Sequence, residues 1–380
     1  MMNKWTVALA ATGVVGLASA VLAEESHPVN TLLPATTLSG YVDTSAIWNF
    51  GTGTAQANRF VNTGADRQDG FNLNVVKLQL EKPLDEGTWS AGYKAELWAG
   101  PDAAGLPGSN FASNLAIKQA YVALRAPVGN GIDIKIGQFD PIIGYEVADS
   151  YANPNFSRSF GFAYEPLGHT GVLATYQFSE VFGVAAGVAN TYSRGINAKV
   201  LTETRKSYMG GITIKAPESL GFLAGSSLYA GVIDGGNDSK TAPGLNKDTV
   251  NIYSGASIAT PIKALSFGLA FDYVANGTFD GSYANAYAVY ASYQLTEKLK
   301  ANLRGEYANN SGGVLLVGSN DDKVTGLTAT IDYSLWANVV TRAEVRWDHS
   351  ANGFKPFDSR SGANTQKNDL SLALNVIYKF

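Results

Sequence analysis

The chain has 380 residues, no cysteine, and 28 Lys plus Arg against 32 Asp plus Glu, for a formal charge of -4. This excludes disulfides, thiolate chemistry and Cys-ligated zinc, and no basic stretch suggests nucleic acid. Gly at 41 and Tyr at 19, against three Met, favour turns and strands over helices.

The first segment reads as an export signal. Lys4 supplies a positive start, and Thr6 to Leu22 is a small apolar run. Ala18-Ser19-Ala20 or Val21-Leu22-Ala23 offers a small-residue cleavage site before Glu24 and Glu25. The run is short and broken by Thr12, Gly13, Gly16 and Ser19, which argues against a membrane anchor. The expected division is a cleaved signal over 1–23, a short periplasmic tail over 24–36, and one domain over 37–380. After residue 23 no stretch approaches the roughly 20 apolar residues of a membrane helix. Mean hydropathy near zero would suit a soluble protein, but barrel strands average an oily and a wet face to the same value.

From residue 37 onward the pattern alternates with period two. Sixteen amphipathic segments are expected, at 37–50, 71–82, 88–100, 114–126, 131–139, 168–178, 181–191, 206–216, 225–234, 248–260, 264–275, 284–295, 298–309, 323–335, 338–349 and 368–380. Most reach the 9–11 residues of a tilted membrane strand. Oily faces are clearest at Trp89/Ala91/Tyr93/Ala95/Leu97 and Leu265/Phe267/Leu269/Phe271/Tyr273. The segments at 71–82, 114–126 and 225–234 alternate less well. In the first the apolar side switches between Val75 and Val76, which suggests a bulge.

The connections alternate in length. Long ones follow strands one, three and five, and so on, at 51–70, 101–113, 140–167, 192–205, 235–247, 276–283, 310–322 and 350–367. Tight links such as Val128-Gly129-Asn130, Ser179-Glu180 and Thr296-Glu297 lie between them. Short turns on one rim and long loops on the other point to an all-β, up-and-down antiparallel transmembrane barrel of about sixteen strands, with short periplasmic turns and long external loops. Aromatic residues near both sets of turns fit interfacial girdles. The final strand, Leu370 to Phe380, alternates strictly and stops on an aromatic residue. Tyr378 and Phe380 are therefore the expected membrane-insertion signal, read by the barrel assembly machinery.

The opposite faces are polar and charged: Lys94 and Glu96, Arg125, Asp133 and Lys135, Asp272, Lys300, Arg304 and Glu306, Asp332, then Arg342, Glu344, Arg346 and Asp348. A dry core would not hold so many ions, because buried unpaired charge is costly. A water-filled lumen would, and about sixteen strands leave room for one. Lys94, Glu96, Arg125, Lys300, Arg304, Glu306, Arg342, Glu344 and Arg346 are the expected pore-lining residues. Lys300, Arg304, Arg342 and Arg346 come from strands two apart. Facing loop carboxylates, they would set a transverse field; paired with their neighbours, they would only stiffen the wall.

The longest loop, 140–167, is rich in aromatics: Tyr145, Tyr151, Phe156, Phe160, Phe162 and Tyr164. Loops of this length are usually functional or disordered. Folding into the barrel mouth would bury these rings and narrow the channel. Asp140, Glu146 and Asp149 would then supply constriction carboxylates and Arg158 a counter-charge; the alternative is a surface lid.

Several short motifs occur in order: Leu38-Ser39-Gly40-Tyr41-Val42-Asp43, Gln119-Ala120-Tyr121-Val122, Gly137-Gln138-Phe139-Asp140, Ile143-Gly144-Tyr145-Glu146, Asn153 to Arg158, and His169-Thr170-Gly171. With them the chain resembles the OmpL-like outer-membrane porins, the β-barrel porin-2 group, from about Leu38 to Phe380. The resemblance implies a bacterial outer-membrane barrel, monomeric or oligomeric, that permits passive diffusion of small hydrophilic solutes or ions. A homotrimer follows by analogy only, and the small outward faces around Val184, Ala186 and Gly210 would suit a neighbour or lipid.

Other chemistry finds little support. His27, His169 and His349 are not spaced as a metal pair, and no Ser is placed with them for a hydrolase. The acidic turns at 234–238 and 320–322 lack a full calcium pattern. No cofactor, metal or catalytic residue is expected, and the reading is of a channel rather than an enzyme. An occluded structural or adhesive barrel is the alternative.

Overall fold

The computed structural model describes residues 29–30, 35–50, 60–61, 69–86, 88–104, 106, 114–193, 196–198, 200, 205–236, 248–276, 282–311, 321–358 and 364–380. The expected signal over 1–23, most of the tail, much of the long loops, Asn237 and Asp238 of one acidic turn and Asn320 of the other lie outside them. Of the tail, Val29–Asn30 pairs back onto Leu38 and Thr37 as a short hairpin.

Sixteen antiparallel strands form the wall: β1 Thr37–Phe50, β2 Gly70–Lys82, β3 Ser90–Ala99, β4 Leu115–Ala126, β5 Ile132–Phe139, β6 His169–Gln177, β7 Phe182–Ala189, β8 Ser207–Lys215, β9 Ser227–Gly236, β10 Asp248–Ala259, β11 Leu265–Asn276, β12 Ser282–Gln294, β13 Leu299–Ser311, β14 Asp321–Trp336, β15 Val339–Ser350 and β16 Asn368–Lys379. Each pairs with its sequence neighbours, and β16 pairs with β1 from Leu370↔Phe50 to Lys379↔Tyr41. The sheet is therefore closed and has no free edge. The expected segments agree with these bounds to within two residues at each end.

Two of the poorly alternating segments, 71–82 and 114–126, have a local cause. Asp43 pairs with Val75 and Thr44 with Leu73, which leaves Asn74 as an extra residue. Likewise Lys118 is extra where Glu96 and Leu97 pair with Gln119 and Ile117. A bulge puts two successive side chains on one face. Asn74 and Val75 are both buried, as are Lys118 and Gln119. The link between β8 and β9 is longer than a tight turn; its 3-10 segment Glu218–Leu223 exposes Leu220 and Phe222 at the short-turn rim.

The outer surface is a belt of exposed Leu, Val, Ile and aromatic side chains, such as Val122, Leu303, Val345 and Leu374. Aromatic rings flank it: Trp89, Phe178, Tyr293 and Tyr378 near the short turns, Phe50, Phe71, Tyr208 and Trp347 toward the long loops. At the closing seam Phe380 N donates to Gly40 O (3.0 Å) and Gly40 N to Phe380 O (2.9 Å). The Tyr378 and Phe380 rings lie 6.5 Å apart. The packed core lies inside the cylinder, where the 140–167 loop meets inward wall side chains and Ala103, Leu106 and Phe357 join from other loops.

Candidate functional site: the loop clamped inside the barrel

None of residues 140–167 is exposed. The loop leaves β5, enters the barrel and returns to β6. Its rings pack against four parts of the wall, Phe156 meeting Ile47 and Ala373. Ile143 and Tyr145 join Leu173, Met209, Ile233, Tyr253 and Tyr290. Ala148 and Phe162 join Tyr41, Val75, Trp98 and Ile377. Phe160 and Tyr164 in the short helix Phe160–Tyr164 meet Val274, Ala284, Ala286 and Ala308. Burying a large apolar side chain contributes about 1.5–3 kcal/mol, so the rings favour the inward position. Burial pushes the Tyr145 and Tyr151 phenols up to about 12, so both stay neutral.

Polar contacts fix the loop's position. Across β13, β14 and β15 the inward side chains form rows: Lys300/Asp332/Arg342, Asn302/Thr330/Glu344, Arg304/Thr328/Arg346 and Glu306/Gly326/Asp348. The rows alternate in charge, and the loop lies on them. Arg304 Nη1 donates to Glu146 Oε1 (2.8 Å) and to Ser157 O (2.7 Å). Arg342 Nη1 donates to Ser150 O (2.8 Å), and its Nη2 to Tyr151 O (3.1 Å) and Asn153 O (3.2 Å). Arg346 Nη1 donates to Arg158 O (2.5 Å). In the other direction, Phe156 N and Ser157 N donate to Glu344 (2.6 and 2.9 Å), and Phe160 N to Glu306 (2.8 Å). Ser159 N and the Tyr290 hydroxyl donate to Glu146. Irregular backbone inside a barrel needs such partners.

A second anchor lies on β2, β3 and β4. Lys77 pairs with Asp149 (2.8 Å) and Glu96 (3.1 Å), and Lys118 pairs with Asp140. Glu96 also accepts from Trp98 Nε1 (2.7 Å) and Gln119 Nε2 (2.9 Å).

The site residues expected from sequence thus separate into groups. Arg304, Glu306, Arg342, Glu344 and Arg346 point inward but lie buried beneath the loop, bonded to it, rather than facing open water. Arg304 has no exposed surface at all. Glu96 is buried in the second anchor. Lys94, Arg125 and Lys300 stand nearer the short-turn rim and are half-buried, with Arg125 paired to Asp133 (3.1 Å). The loop carboxylates Asp140, Glu146 and Asp149 touch wall cations directly, so no open gap separates them. Arg158 differs from a counter-charge across a lumen: it donates to Val147 O, Ala148 O and Phe156 O and staples the loop to itself. Lys77 and Lys118 were not anticipated; Lys118 is itself the extra residue of a bulge, and Lys77 lies three residues beyond the bulge at Asn74.

The opposite wall is small and neutral. A small cleft lies between Ile142 of the loop and Thr175, Gln177, Gly183, Ala185, Gly211, Thr213 and Tyr229 on β6–β9. The loop is clamped on the charged side and leaves room on this one. Elsewhere the fit is close: a methyl group at Gly268 would overlap the Tyr145 phenol, which stacks on Tyr290 at 4.2 Å. Gly268→Val is expected to push Tyr145 out of place. Chymotrypsin should then cut the folded variant within 140–167 while leaving the parent loop intact; equal resistance would contradict the packing.

Neither folded His forms a hydrolytic pair. His169 is enclosed with no side-chain partner on either ring nitrogen, and His349 Nδ1 lies 2.8 Å from Asn368 Oδ1. No group of three or more His, Asp or Glu is placed to hold a metal among the described residues.

Comparison with known proteins places this geometry. A family model described as putative beta-barrel porin-2, OmpL-like, matches residues 35–380. No curated protein matches the chain. Among solved structures, the outer membrane channel DcaP of Acinetobacter baumannii has a TM-score of 0.60 at 14% identity, covering 91% of this chain and 97% of its own. The anion-selective porin from Comamonas acidovorans reaches 0.61 at 14%, covering 91% and 99%. The trimer form of OmpT from Vibrio cholerae reaches 0.56 at 10%, covering 91% and 99%. At these identities the likeness is one of fold.

Proposed function

Since this chain belongs to the β-barrel porin-2, OmpL-like family, we propose that its barrel passes small hydrophilic solutes and ions by passive diffusion past the inward-folded 140–167 loop. It is an outer-membrane porin, and the short turns face the periplasm. The observation that carries the finer reading is the clamp. A loop with no exposed residue, fixed by Arg304, Arg342 and Arg346 on one side, narrows the lumen without floating in it. Solutes then take the side of the neutral cleft on β6–β9. In this reading Arg304, Arg342, Arg346, Glu306 and Glu344 set pore size by holding the loop, while Lys94, Arg125 and Lys300 meet the solute.

The chain works as a channel in this proposal, with no catalysis. Residues 1–23 are its removable export signal, and the Tyr378–Phe380 end addresses the assembly machinery. Assembly as three copies is the arrangement suggested by the trimer form of OmpT. The refolded barrel in a planar bilayer is expected to give discrete, long-lived current steps. A heat-modifiable, folded barrel that never conducts would overturn the proposal and favour an occluded structural barrel.

A further inference from the structure

We propose that Glu165 of the loop and Asp272 of β11 form a proton-operated latch, which holds the 140–167 loop in the lumen at low pH and lets it loosen as pH rises. Its effect on current rests on the open-pore reading above; the latch itself rests on packing. Every other carboxylate of the loop meets a wall cation: Asp140 meets Lys118, Glu146 meets Arg304 and Asp149 meets Lys77. Among the described residues Glu165 has no such cation. Its half-buried side chain lies across Gly144, where a Cβ would overlap Glu165 Oε2. The wall side is alike. Asp272 is 1% exposed, its Oδ1 has no hydrogen-bond partner, and its Oδ2 lies 2.5 Å from where a Cβ on Gly161 would stand.

The groups around this pair do not neutralise it. The Asp272 and Glu146 carboxylates both act against a charge on Glu165, and Glu146 also acts against one on Asp272. On β10, Tyr253 lies opposite Asp272 and Asn251 opposite Val274; on β12, Ala286 lies opposite Asp272. Asn251 Nδ2 donates to Tyr164 O (3.1 Å), one residue before Glu165. The Tyr192 and Tyr253 phenols lie in the field of both carboxyl groups. The helix Phe160–Tyr164 otherwise meets apolar wall at Val274, Ala284, Ala286 and Ala308, and Phe160 N donates to Glu306. The guanidinium groups under the loop are already engaged: Arg304 with Glu146 and Glu306, Arg346 with Glu306 and Asp348, and Arg158 with loop carbonyls.

Burial, with the Asp272 and Glu146 carboxylates beside it, pushes the Glu165 carboxyl well above the usual carboxylate range. Once the loop leaves, Glu165 stands in water and titrates at its ordinary value of about 4.3. Docking therefore takes up a proton. Below the ordinary value both states are protonated and the latch holds fully. Above it the released loop sheds its proton while the docked loop keeps it, so docking weakens with rising pH until the raised value is passed. Arginines stay charged throughout this range. The clamp at Arg304 and Arg342 thus serves as a pivot, and the 160–167 segment is the part that lifts. Phe160 and Tyr164 then leave Val274, Ala284 and Ala286, and the lumen widens on that side.

The test follows the refolded barrel between pH 5.5 and pH 8.5 by two readouts. One is the fraction of time a single channel spends at its widest current level in symmetric KCl. The other is cleavage within 140–167 by proteinase K, each rate divided by that on unfolded casein at the same pH. Both are expected to rise with pH in the parent, by up to about tenfold per pH unit for one linked proton. Glu165→Gln with Asp272→Asn keeps the shape of the neutral pair, so both readouts should stay low and flat. Glu86→Gln, in an exposed turn, should keep the parent's slope. Heat-modifiable mobility checks folding, and Glu165→Gln alone serves if the double variant does not fold. Current steps with both readouts flat in the parent, or a parent-like slope in the folded double variant, overturn the latch and leave the porin reading intact. Cleavage that rises with pH in a barrel that never conducts overturns the porin reading and leaves the latch.

Discussion

Arg304→Ser combined with Arg342→Ser is expected to raise single-channel conductance several-fold while the barrel stays folded. The two guanidinium groups hold the loop at Glu146, Ser150, Tyr151, Asn153 and Ser157. Removing them leaves Glu146 buried without its paired cation, while Glu306 keeps Arg346 at 3.2 Å. Breaking a buried pair this way costs about 3–5 kcal/mol. The loop can relieve that cost by swinging into water; the wall cannot. The backbone ladder of β13–β15 does not depend on either arginine, so closure survives. Ion selectivity should shift as well, because Asp332 loses Arg342. A folded double variant with the parent's conductance and selectivity would mean that the rings alone hold the loop.

Gly40→Val is expected to abolish the folded, heat-modifiable form. Gly40 lies at the seam, between β2 and the last residue of the chain. A Cβ there would overlap Lys77 O and come within 2.8 Å of Phe380 Cζ. The first is backbone in an adjoining strand and cannot yield without breaking the ladder. The second displaces the terminal ring, whose backbone exchanges two hydrogen bonds with Gly40 itself. An open barrel would leave strand edges unpaired in lipid, where each unsatisfied group costs several kcal/mol. Refolding yield by gel mobility reads the outcome, and parent-like yield would show that the seam tolerates a side chain.

Period-two alternation located all sixteen wall strands, because in lipid one face of each must be oily. The loop's inward fold was legible from its rings, which have no reason to face solvent. The clamp was not. Arg304 and Glu146 are 158 residues apart, and Arg342 and Ser150 are 192 apart. Alternation states which side a residue faces and says nothing of which distant segment meets it there. A guanidinium that lines water and one that caps loop carbonyls carry the same local pattern, since either environment satisfies the charge. Lys77 and Lys118 were missed for a different reason: a bulge resets the phase of alternation by one residue.

The long reach of the clamp also fixes an order in time. The loop lies in the first half of the chain, whereas its partners Arg304, Glu306, Arg342, Glu344 and Arg346 arrive in the last quarter. Contacts between such remote segments form slowly. The full constriction therefore cannot exist until β13, β14 and β15 have paired, and a barrel still under construction holds its aromatic loop only by its early-strand contacts, such as Lys77–Asp149 and Lys118–Asp140. Until the final strands arrive, those rings are the part of the nascent chain most in need of an escort across the periplasm.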